Sequence, residues 1–307
     1  MILHSPKSKK INSKINLPAP KSISNRALVI QALCKESFQI HNLSVAEDTQ
    51  LMPNALDNSE KTIDIHHAGT CMRFLTAYCV ATNQNKIITG SDRMKQRPIK
   101  ILVDALKSIG AEINYLGNEG FPPIEIKPSK ISGNKVSLPA NVSSQYISAL
   151  LLIAPTLPNG LQINFETEKV SEAYIDMTLK MLNYFGVNYL QNSLSITISK
   201  QGYNAKELSV ESDWSAASYW YSFLAFSDIG SKINLPGLYK DSWQGDSVVK
   251  DIYKDFGVET KFIDGGVIIE KINKNYPKEF EFDFSDCPDL AQTVAITSAI
   301  LCKKSFL

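Results

Sequence analysis

The chain has 307 residues, of which 44% are hydrophobic and 21% are charged, as in ordinary globular proteins of about two domains. This composition excludes a largely disordered chain. The 32 Lys and Arg residues balance 31 Asp and Glu residues, which leaves a net charge of +1. No global field therefore directs the protein to nucleic acid or to an anionic membrane, and any bound anion must be held by local groups.

The five cysteines form no C-x-x-C pair, which predicts reduced thiols in a cytosolic protein. The polar N-terminus lacks the apolar stretch of a signal peptide, and the longest apolar run, near Ala149–Ala154, is too short for a membrane span. Neither common nucleotide-binding loop is present in the sequence. His66 and His67 are adjacent, so they point apart on a strand, and we expect no metal site there.

Two kinds of predicted helix alternate along the chain. The first kind is apolar nearly all round and rich in small residues, which predicts burial. These inner helices begin near residues 24, 70, 144, 215 and 289. The second kind is amphipathic and ends in Gly110, Gly186 or Gly257, where glycine supplies the left-handed turn.

Each glycine is followed by alternating apolar residues that predict strands, and Asp264-Gly265-Gly266 is a predicted hairpin turn. The three glycines are separated by 76 and 71 residues, so the chain contains an internal repeat of two helices and several strands. Inner helices, outer helices and a sheet then form layers, in an α/β or α+β arrangement.

The last repeat is incomplete. Its inner helix, near Leu290–Leu301, is followed only by CKKSFL, without an outer helix or a hairpin. We expect this helix to expose an apolar patch. We also expect the chain to be a C-terminally truncated portion of a longer protein.

Polar residues cluster where the inner helices begin. They are Lys21, Ser22, Arg26, Gly69, Thr70, Arg73, Ser143, Ser144, Gln145, Asp286 and Asp289. Helix N-termini carry free N–H groups and partial positive charge, so several converging ends would form a phosphate or carboxylate site. Alternatively, Ser24, Ser144 and Asp289 are plain helix caps.

The basic segment Arg93–Pro98 lies between two predicted elements. It predicts either an anion-binding loop or a solvated one, with Pro98 in the first turn of the next helix. Met94 and Tyr146 are predicted to be packing residues.

Eight segments, in order, resemble one family. L-P-A-P-K-S-I-S-N-R (Leu17–Arg26) is similar to the L-P-G-S-K-S-x-S-N-R signature of 5-enolpyruvylshikimate-3-phosphate synthases. A-G-T-C-M-R (Ala68–Arg73) and T-G-S-D-R-M-K-Q-R-P-I (Thr89–Ile99) resemble its next two motifs. The segments S-S-Q-Y, S-E-A-Y-I-D, D-W-S-A-A-S-Y, Q-G-D and D-C-P-D follow. The resemblance covers essentially the whole chain.

The resemblance implies an α/β (α+β) fold: the two-domain enolpyruvyl transferase fold of repeated βαβαββ units, with the second domain incomplete here. Residues 20–212 would form a complete domain of three units, and residues 1–19 and 213–307 part of the second. Hinges would lie near Leu17–Pro20 and Val210–Asp213.

The resemblance also implies an enzyme that transfers the enolpyruvyl group of phosphoenolpyruvate to the 5-hydroxyl of shikimate 3-phosphate and releases phosphate. No cofactor, metal, nucleic acid or membrane takes part, and the complete protein would be a monomer. Matching motif positions assign the shikimate 3-phosphate site to Lys21, Ser22, Arg26, Ser143, Ser144, Gln145, Ser171 and Asp289. They assign the phosphoenolpyruvate site to Lys21, Gly69, Arg97 and Gln145, and catalysis to Asp289 and Lys21.

Several positions depart from the family pattern. His67 stands where the family usually has Asn, and Ser212 and Trp214 alter the hinge segment. The later K-E-[ST]-D-R motif has no counterpart, so we expect a chain ending at Leu307 to be inactive alone. Two alternatives stay open: a non-catalytic anion-binding protein that keeps the shikimate 3-phosphate half-site, and the related UDP-N-acetylglucosamine enolpyruvyl transferase.

Overall fold

A computed structural model describes residues 10–139, 143–166 and 172–306. The chain separates into two compact units, Lys21–Val210 and Met1–Pro20 with Glu211–Leu307. We call them the large unit and the small unit. The domain limits predicted from the resemblance, residues 20 and 212, lie close to the boundaries between these units. That the two units are functional domains stays a prediction.

The large unit contains six of the helices. They are α1 (Lys21–Leu33), α2 (Glu47–Leu56), α3 (Gly69–Ala81), α4 (Lys100–Ser108), α5 (Ser144–Ile153) and α6 (Glu172–Tyr184). Its strands are β2 (Ile40–His41), β3 (Thr62–Asp64), β4 (Lys86–Thr89), β5 (Glu112–Tyr115), β6 (Ile124–Lys127), β7 (Lys135–Leu138), β8 (Leu161–Phe165), β9 (Leu190–Gln191), β10 (Ser195–Ile198) and β11 (Leu208–Ser209).

Two four-stranded sheets of the large unit share one topology. Their strand orders are β3-β4-β6-β5 and β7-β8-β10-β9, and in each the first two strands are parallel and the other pairs antiparallel. An inner helix connects the parallel strands, and an outer helix leads to the hairpin, which makes each a βαβαββ repeat. A third, reduced repeat pairs β2 with β11 in parallel. The predicted internal repeat is thus present.

The inner helices α3 and α5 are buried along nearly their whole length, as their small and apolar residues predict. The outer helix α4 instead buries one face, with Leu102, Val103 and Leu106, while Lys100 and Asp104 face solvent. Gly110 follows α4 with φ of 109°, the left-handed conformation predicted for a glycine at this position.

The small unit contains one complete repeat and the start of another. Its elements are β1 (Asn12–Lys14), α7 (Trp214–Ala225), β12 (Lys232–Pro236), α8 (Val249–Ile252), β13 (Val258–Ile263), β14 (Gly266–Lys271), β15 (Glu279–Glu281), α9 (Ala291–Leu301) and β16 (Lys304–Phe306). The sheet order is β1-β12-β14-β13, and β15 pairs with β16 in parallel. Asp264 and Gly265 form the predicted hairpin turn between β13 and β14.

Aromatic residues fill the core of the small unit. Trp214, Tyr221, Tyr253 and Phe256 are fully buried, and the ring centroids of Tyr221 and Tyr253 lie 5.5 Å apart. Lys271 is also fully buried. Its Nζ donates to the carbonyl oxygens of Ala225 at 2.8 Å and Phe256 at 2.6 Å, and it thereby satisfies the C-terminal end of α7.

One face of α7 and α9 is exposed. Tyr219 and Phe223 on α7 are 50% and 60% exposed, and Ile296 and Ile300 on α9 are 60% and 65% exposed. The spacing of four residues places each pair on one helix face. The apolar patch predicted for the last inner helix is therefore present, and it extends onto α7. We call these four residues the α7/α9 patch.

Three local predictions were wrong. Helix α1 begins at Lys21, not near residue 24, so Ser24 is no cap: its buried Oγ accepts a hydrogen bond from the Ser44 amide at 3.0 Å. The third outer helix shrinks to a 3-10 turn and the four residues of α8. Helix α4 begins at Lys100, so Pro98 precedes it instead of lying in its first turn.

None of the helices in the described ranges is long and apolar enough to cross a membrane. The five cysteines, all within those ranges, are unpaired. Burial raises the pKa of Cys71, Cys79 and Cys287 to about 12, so these three thiols stay protonated at neutral pH.

Candidate active site

The N-terminus of α3 carries a guanidinium directly against a glycine. A side-chain Cβ built on Gly69 would lie 2.6 Å from Nη2 of Arg97 and would overlap that guanidinium. A side chain at this position would displace the guanidinium, so glycine lets Arg97 lie against the start of α3. Arg97 also lines a cleft of about 450 Å³ together with His67, Arg93 and Met94. Arg93 and Arg97 thus line one concave surface, and Arg97 lies against the N-terminus of α3, which carries partial positive charge. This arrangement suits a phosphate.

Arg73 fixes this arrangement from behind. It is only 4% exposed, and its Nη1 donates to the Gly69 carbonyl at 2.9 Å while Nη2 donates to the Pro98 carbonyl at 3.0 Å. Burial lowers the pKa of the guanidinium, and the neighbouring Tyr146 opposes that shift. Arg73 therefore joins the first turn of α3 to the segment that carries Arg97.

His67 lies at the same cleft. Its Nδ1 is 2.8 Å from the Ser91 hydroxyl, which fixes the orientation of the ring. The preceding residue, His66, has a positive φ of 48°, so the chain turns sharply before α3. The His67 imidazole is thereby held at the cleft that Arg97 also lines.

Lys21, at the first position of α1, is exposed and lies near the start of α3. Its Nζ is 3.8 Å from Oδ2 of Asp48, and the Asp48 carbonyl accepts a hydrogen bond from the Cys71 thiol at 3.1 Å. The lysine side chain is 59% exposed. This long and weakly restrained ion pair leaves the ammonium able to bind an anionic ligand.

Gln145 brings the start of α5 against the start of α3. Its Nε2 is 3.5 Å from the Thr70 hydroxyl. Ser143 is the N-cap of α5, and its Oγ accepts from the Gln145 amide at 3.4 Å. The capping alternative for Ser144 is therefore wrong, because Ser143 is the cap and Ser144 is the first helical residue.

Arg26 lies in a buried network that reaches the start of α1. It is 3% exposed; Nε donates to Thr178 Oγ1 at 2.7 Å, Nη2 to Ser148 Oγ at 2.8 Å and Nη1 to the Ser22 carbonyl at 2.8 Å. Burial lowers its pKa to about 10, so it stays charged at neutral pH. The guanidinium ties α1 to α5 and α6, and Ser22 is held at the same helix end.

The large unit thus assembles the starts of α1, α3 and α5, with Lys21, Ser22, Gly69, Arg97, Ser143, Ser144 and Gln145 at or beside them. Ser171, which was predicted to join this set, lies outside the described residues.

Asp289 belongs to the small unit, where it is exposed in a short 3-10 helix before α9. The N-cap position of that helix is Cys287, so Asp289 lies within the helix and not at its cap position. Two further carboxylates, Asp213 and Asp246, are close enough for the charge of Asp289 to raise the pKa of both.

Asp246 is the most perturbed of these carboxylates. Burial raises its pKa from the ordinary 3.8 to about 6, against a short hydrogen bond from the Ser215 hydroxyl. Burial likewise raises the pKa of Asp213, although it caps α7 by accepting from the Ser215 amide at 2.8 Å. The small unit therefore carries a group of carboxylates, whereas the large unit carries cations and hydroxyls.

Sequence reasoning missed the partners of these residues. The spacing of four residues between Gly69 and Arg73 could have shown that the arginine returns to the first turn of its helix. No local signal identifies Thr178 and Ser148 as partners of Arg26, since they are 152 and 122 residues distant. The ion pair of Lys21 with Asp48 was likewise not expected from the sequence.

Comparisons with known proteins identify the family. The model of the EPSP synthase (3-phosphoshikimate 1-carboxyvinyltransferase) family matches residues 6–60 and 56–307. A 3-phosphoshikimate 1-carboxyvinyltransferase of Bacteroides fragilis strain YCH46 is 48% identical over 292 residues, which are 95% of this chain and 71% of the relative. A 3-phosphoshikimate 1-carboxyvinyltransferase of Histophilus somni strain 2336 is 37% identical over 326 residues, and the match covers 94% of this chain and 73% of the relative.

Solved structures agree at the level of the fold. An EPSP synthase from Acinetobacter baumannii superimposes with a TM-score of 0.76 at 19% identity, and the match covers 96% of this chain and 72% of that one. The repeats of the present chain and this superposition thus define an enolpyruvyl transferase fold. The chain belongs to the EPSP synthase family, a family of transferases.

Proposed function

We propose that this protein transfers the enolpyruvyl group of phosphoenolpyruvate to the 5-hydroxyl of shikimate 3-phosphate and releases phosphate, in the shikimate pathway to chorismate and the aromatic amino acids. The family match and the names of the relatives support this reaction. The observation that carries it is the Arg97 guanidinium packed on Gly69 at the start of α3. Both substrates are polyanions, which cationic groups must neutralise and hold together.

The large unit supplies the binding groups in this proposal. Shikimate 3-phosphate is held by Lys21, Ser22, Arg26, Ser143, Ser144, Gln145 and Ser171, and phosphoenolpyruvate by Lys21, Gly69, Arg97 and Gln145. The contact between Gln145 and Thr70 places this amide between the starts of α5 and α3, which suits a residue that touches both substrates. The exposed ammonium of Lys21 suits the same double role.

Asp289 is the proposed proton acceptor for the 5-hydroxyl, and it also contacts shikimate 3-phosphate. The oxygen of that hydroxyl bonds to C2 of phosphoenolpyruvate while C3 takes up a proton, which gives the tetrahedral intermediate. Loss of phosphate from C2 and of a proton from C3 then restores the double bond. Lys21 offsets the negative charge of both substrates during the reaction. The exposure of Asp289 is compatible with a carboxylate that meets a ligand. The protein acts in the cytoplasm without metal or cofactor, and the complete protein is a monomer. Light scattering of the chain extended with the C-terminal residues of the B. fragilis relative tests the oligomeric state.

Calorimetry of ligand binding tests the assignment of Arg97. Replacing Arg97 by Ala should weaken phosphoenolpyruvate binding by about tenfold or more, since a charge-assisted bond to phosphate is lost. Shikimate 3-phosphate affinity should stay unchanged. Lys95→Ala is the matched control, because Lys95 lies in the same segment but is paired with Asp92 at 3.3 Å. Equal losses for both ligands in Arg97→Ala would contradict the assignment.

Turnover separates the enzyme from its alternatives. Phosphate release should require Asp289, so Asp289→Ala should lower turnover and leave most shikimate 3-phosphate binding intact. Asp286→Ala is the control, because Asp286 is an exposed neighbour, and it should leave turnover unchanged. The assay uses this chain, and also this chain extended with the C-terminal residues of the B. fragilis relative. Shikimate 3-phosphate binding without phosphate release in either protein favours the anion-binding alternative, and binding of UDP-N-acetylglucosamine favours the related transferase.

A further inference from the structure

The carbonyl oxygen of Pro98 receives two hydrogen bonds, from side chains on different helices. Tyr146 Oη donates to it at 2.6 Å from α5, and Arg73 Nη2 donates to it at 3.0 Å from α3. Tyr146 is only 4% exposed, and the Arg73 guanidinium lies over its ring, 5.6 Å from the centroid. A backbone carbonyl that accepts from two buried side chains on separate helices is a fixed point in the structure.

This fixed point adjoins both halves of the proposed substrate site. Pro98 follows Arg97 directly, and Arg97 is the proposed ligand of the phosphoenolpyruvate phosphate. Tyr146 follows Gln145 directly, in the first turn of α5 where the proposed shikimate 3-phosphate ligands lie. One hydroxyl-to-carbonyl bond therefore joins the backbone that carries one set of ligands to the helix that carries the other.

We propose that Tyr146 is a positioning residue whose hydroxyl holds the Arg97 segment in register with the start of α5, so that phosphate affinity at Arg97 depends on it. This inference rests on the proposed function. Packing alone does not require the hydroxyl, because a phenylalanine would keep the ring and its contact with Arg73. The hydroxyl adds only the bond to Pro98, which fixes the direction from which Arg97 reaches the cleft.

The test compares two tyrosines of the same kind. Tyr146→Phe removes the bond to Pro98. Tyr203→Phe is the matched control, because Tyr203 is 7% exposed and its Oη donates to the Leu152 carbonyl at 2.6 Å, away from the Arg97 segment. Both variants lose one hydroxyl-to-carbonyl bond made by a buried tyrosine, so a general loss of stability affects them alike.

Two readouts are taken on the whole chain: amide hydrogen exchange of residues 94–97 without ligand, and titration with inorganic phosphate in the presence of shikimate 3-phosphate. In Tyr146→Phe we expect faster exchange in that segment and phosphate affinity reduced about three- to tenfold. Shikimate 3-phosphate affinity should be unchanged, and Tyr203→Phe should match the wild type in both readouts.

The inference is overturned if Tyr146→Phe leaves either the amide exchange of residues 94–97 or the phosphate affinity at the wild-type value. It is also overturned if Tyr203→Phe changes these two readouts as much as Tyr146→Phe does. Failure of the proposed function is distinguishable, since it appears in the wild type as a lack of binding of shikimate 3-phosphate and phosphate. Failure of the inference appears only in the variant.

Discussion

The large and small units use the same repeat but bury their inner helices to different extents. In the large unit, α3 and α5 contact each other and further helices, and almost every residue of both is buried. In the small unit, α7 and α9 contact each other, yet Phe223 and Ile296 are each 60% exposed. The same small, apolar helix type is thus buried only where neighbouring repeats lie on both sides.

The two units also differ in the hydrogen bonds that join their helices. Arg26 joins three helices of the large unit through charged bonds. In the small unit, α7 and α9 are joined by hydroxyl pairs, Ser222 with Thr297 at 2.8 Å and Ser218 with Thr293 at 3.0 Å. An inner helix therefore takes its stability from the layer around it, and its composition alone does not ensure burial.

The largest effect should come from the buried inner helix. Leu150→Ala in α5 removes a side chain that is 0% exposed and should cost about 3 kcal/mol through the lost burial and the remaining cavity. Ile296→Ala on the exposed face of α9 should change the free energy of unfolding by less than about 0.5 kcal/mol. Denaturant unfolding followed by amide exchange in each helix measures both. Similar costs for the two variants would remove the contrast between the units.

The next effect concerns the buried carboxylate of the small unit. Burial raises the pKa of Asp246 from 3.8 to about 6, so the folded state binds more protons than the unfolded state between these values. The stability of the small unit should therefore fall as pH rises from about 4 to about 6 and then level off. Asp246→Asn keeps an acceptor for Ser215 and should be more stable than wild type at pH 8, by about 2 kcal/mol.

Tryptophan fluorescence is suited to this measurement. All three tryptophans, Trp214, Trp220 and Trp243, lie in the small unit, so their emission reports its unfolding alone. The difference between Asp246→Asn and wild type should shrink towards pH 4, where both side chains are neutral. An advantage of the variant that is the same at pH 4 and pH 8 would show that burial of charge is not its cause.

Much of the repeat was predictable from the sequence, because apolar composition and helix-ending glycines are local signals. Gly110, Gly186 and Gly257 all have positive φ, and α3, α5 and α7 begin within one residue of their predicted starts. The start of α1 was missed because no capping side chain marks it. The shortness of α8 was missed because the helical spacing of apolar residues continues beyond Ile252, although the chain forms turns there.

The candidate site was predictable only in part. The starts of the inner helices gave the residues that a ligand would meet, such as Lys21 and Gln145. Their supports were not predictable, since contacts such as Arg26 with Thr178 or Tyr146 with Pro98 depend on how distant segments pack. Tyr146, which was predicted as a packing residue, is buried as expected, but its hydroxyl also binds the Pro98 carbonyl.

A smaller effect should follow from filling the space beside Arg97. In Gly69→Ala the new methyl group overlaps the guanidinium, which is the flexible end of its side chain and moves away. Inorganic phosphate affinity should fall by about tenfold, since the arginine loses its place at the start of α3. Gly117→Ala is the control, because its Cβ would lie 3.7 Å from Pro123 without overlap. Calorimetry should show no change in that control.

The smallest effect on stability should come from the α7/α9 patch. Replacing Ile296 and Ile300 by Lys should change the free energy of unfolding by less than about 0.5 kcal/mol per site, since both side chains are already in water. Binding of a hydrophobic dye and self-association should nevertheless decrease, because contiguous apolar surface drives both. Val45→Lys is the control: Val45 is 74% exposed but stands outside the patch. If Val45→Lys lowers dye binding as much as the double variant does, the patch is not the surface that distinguishes the small unit.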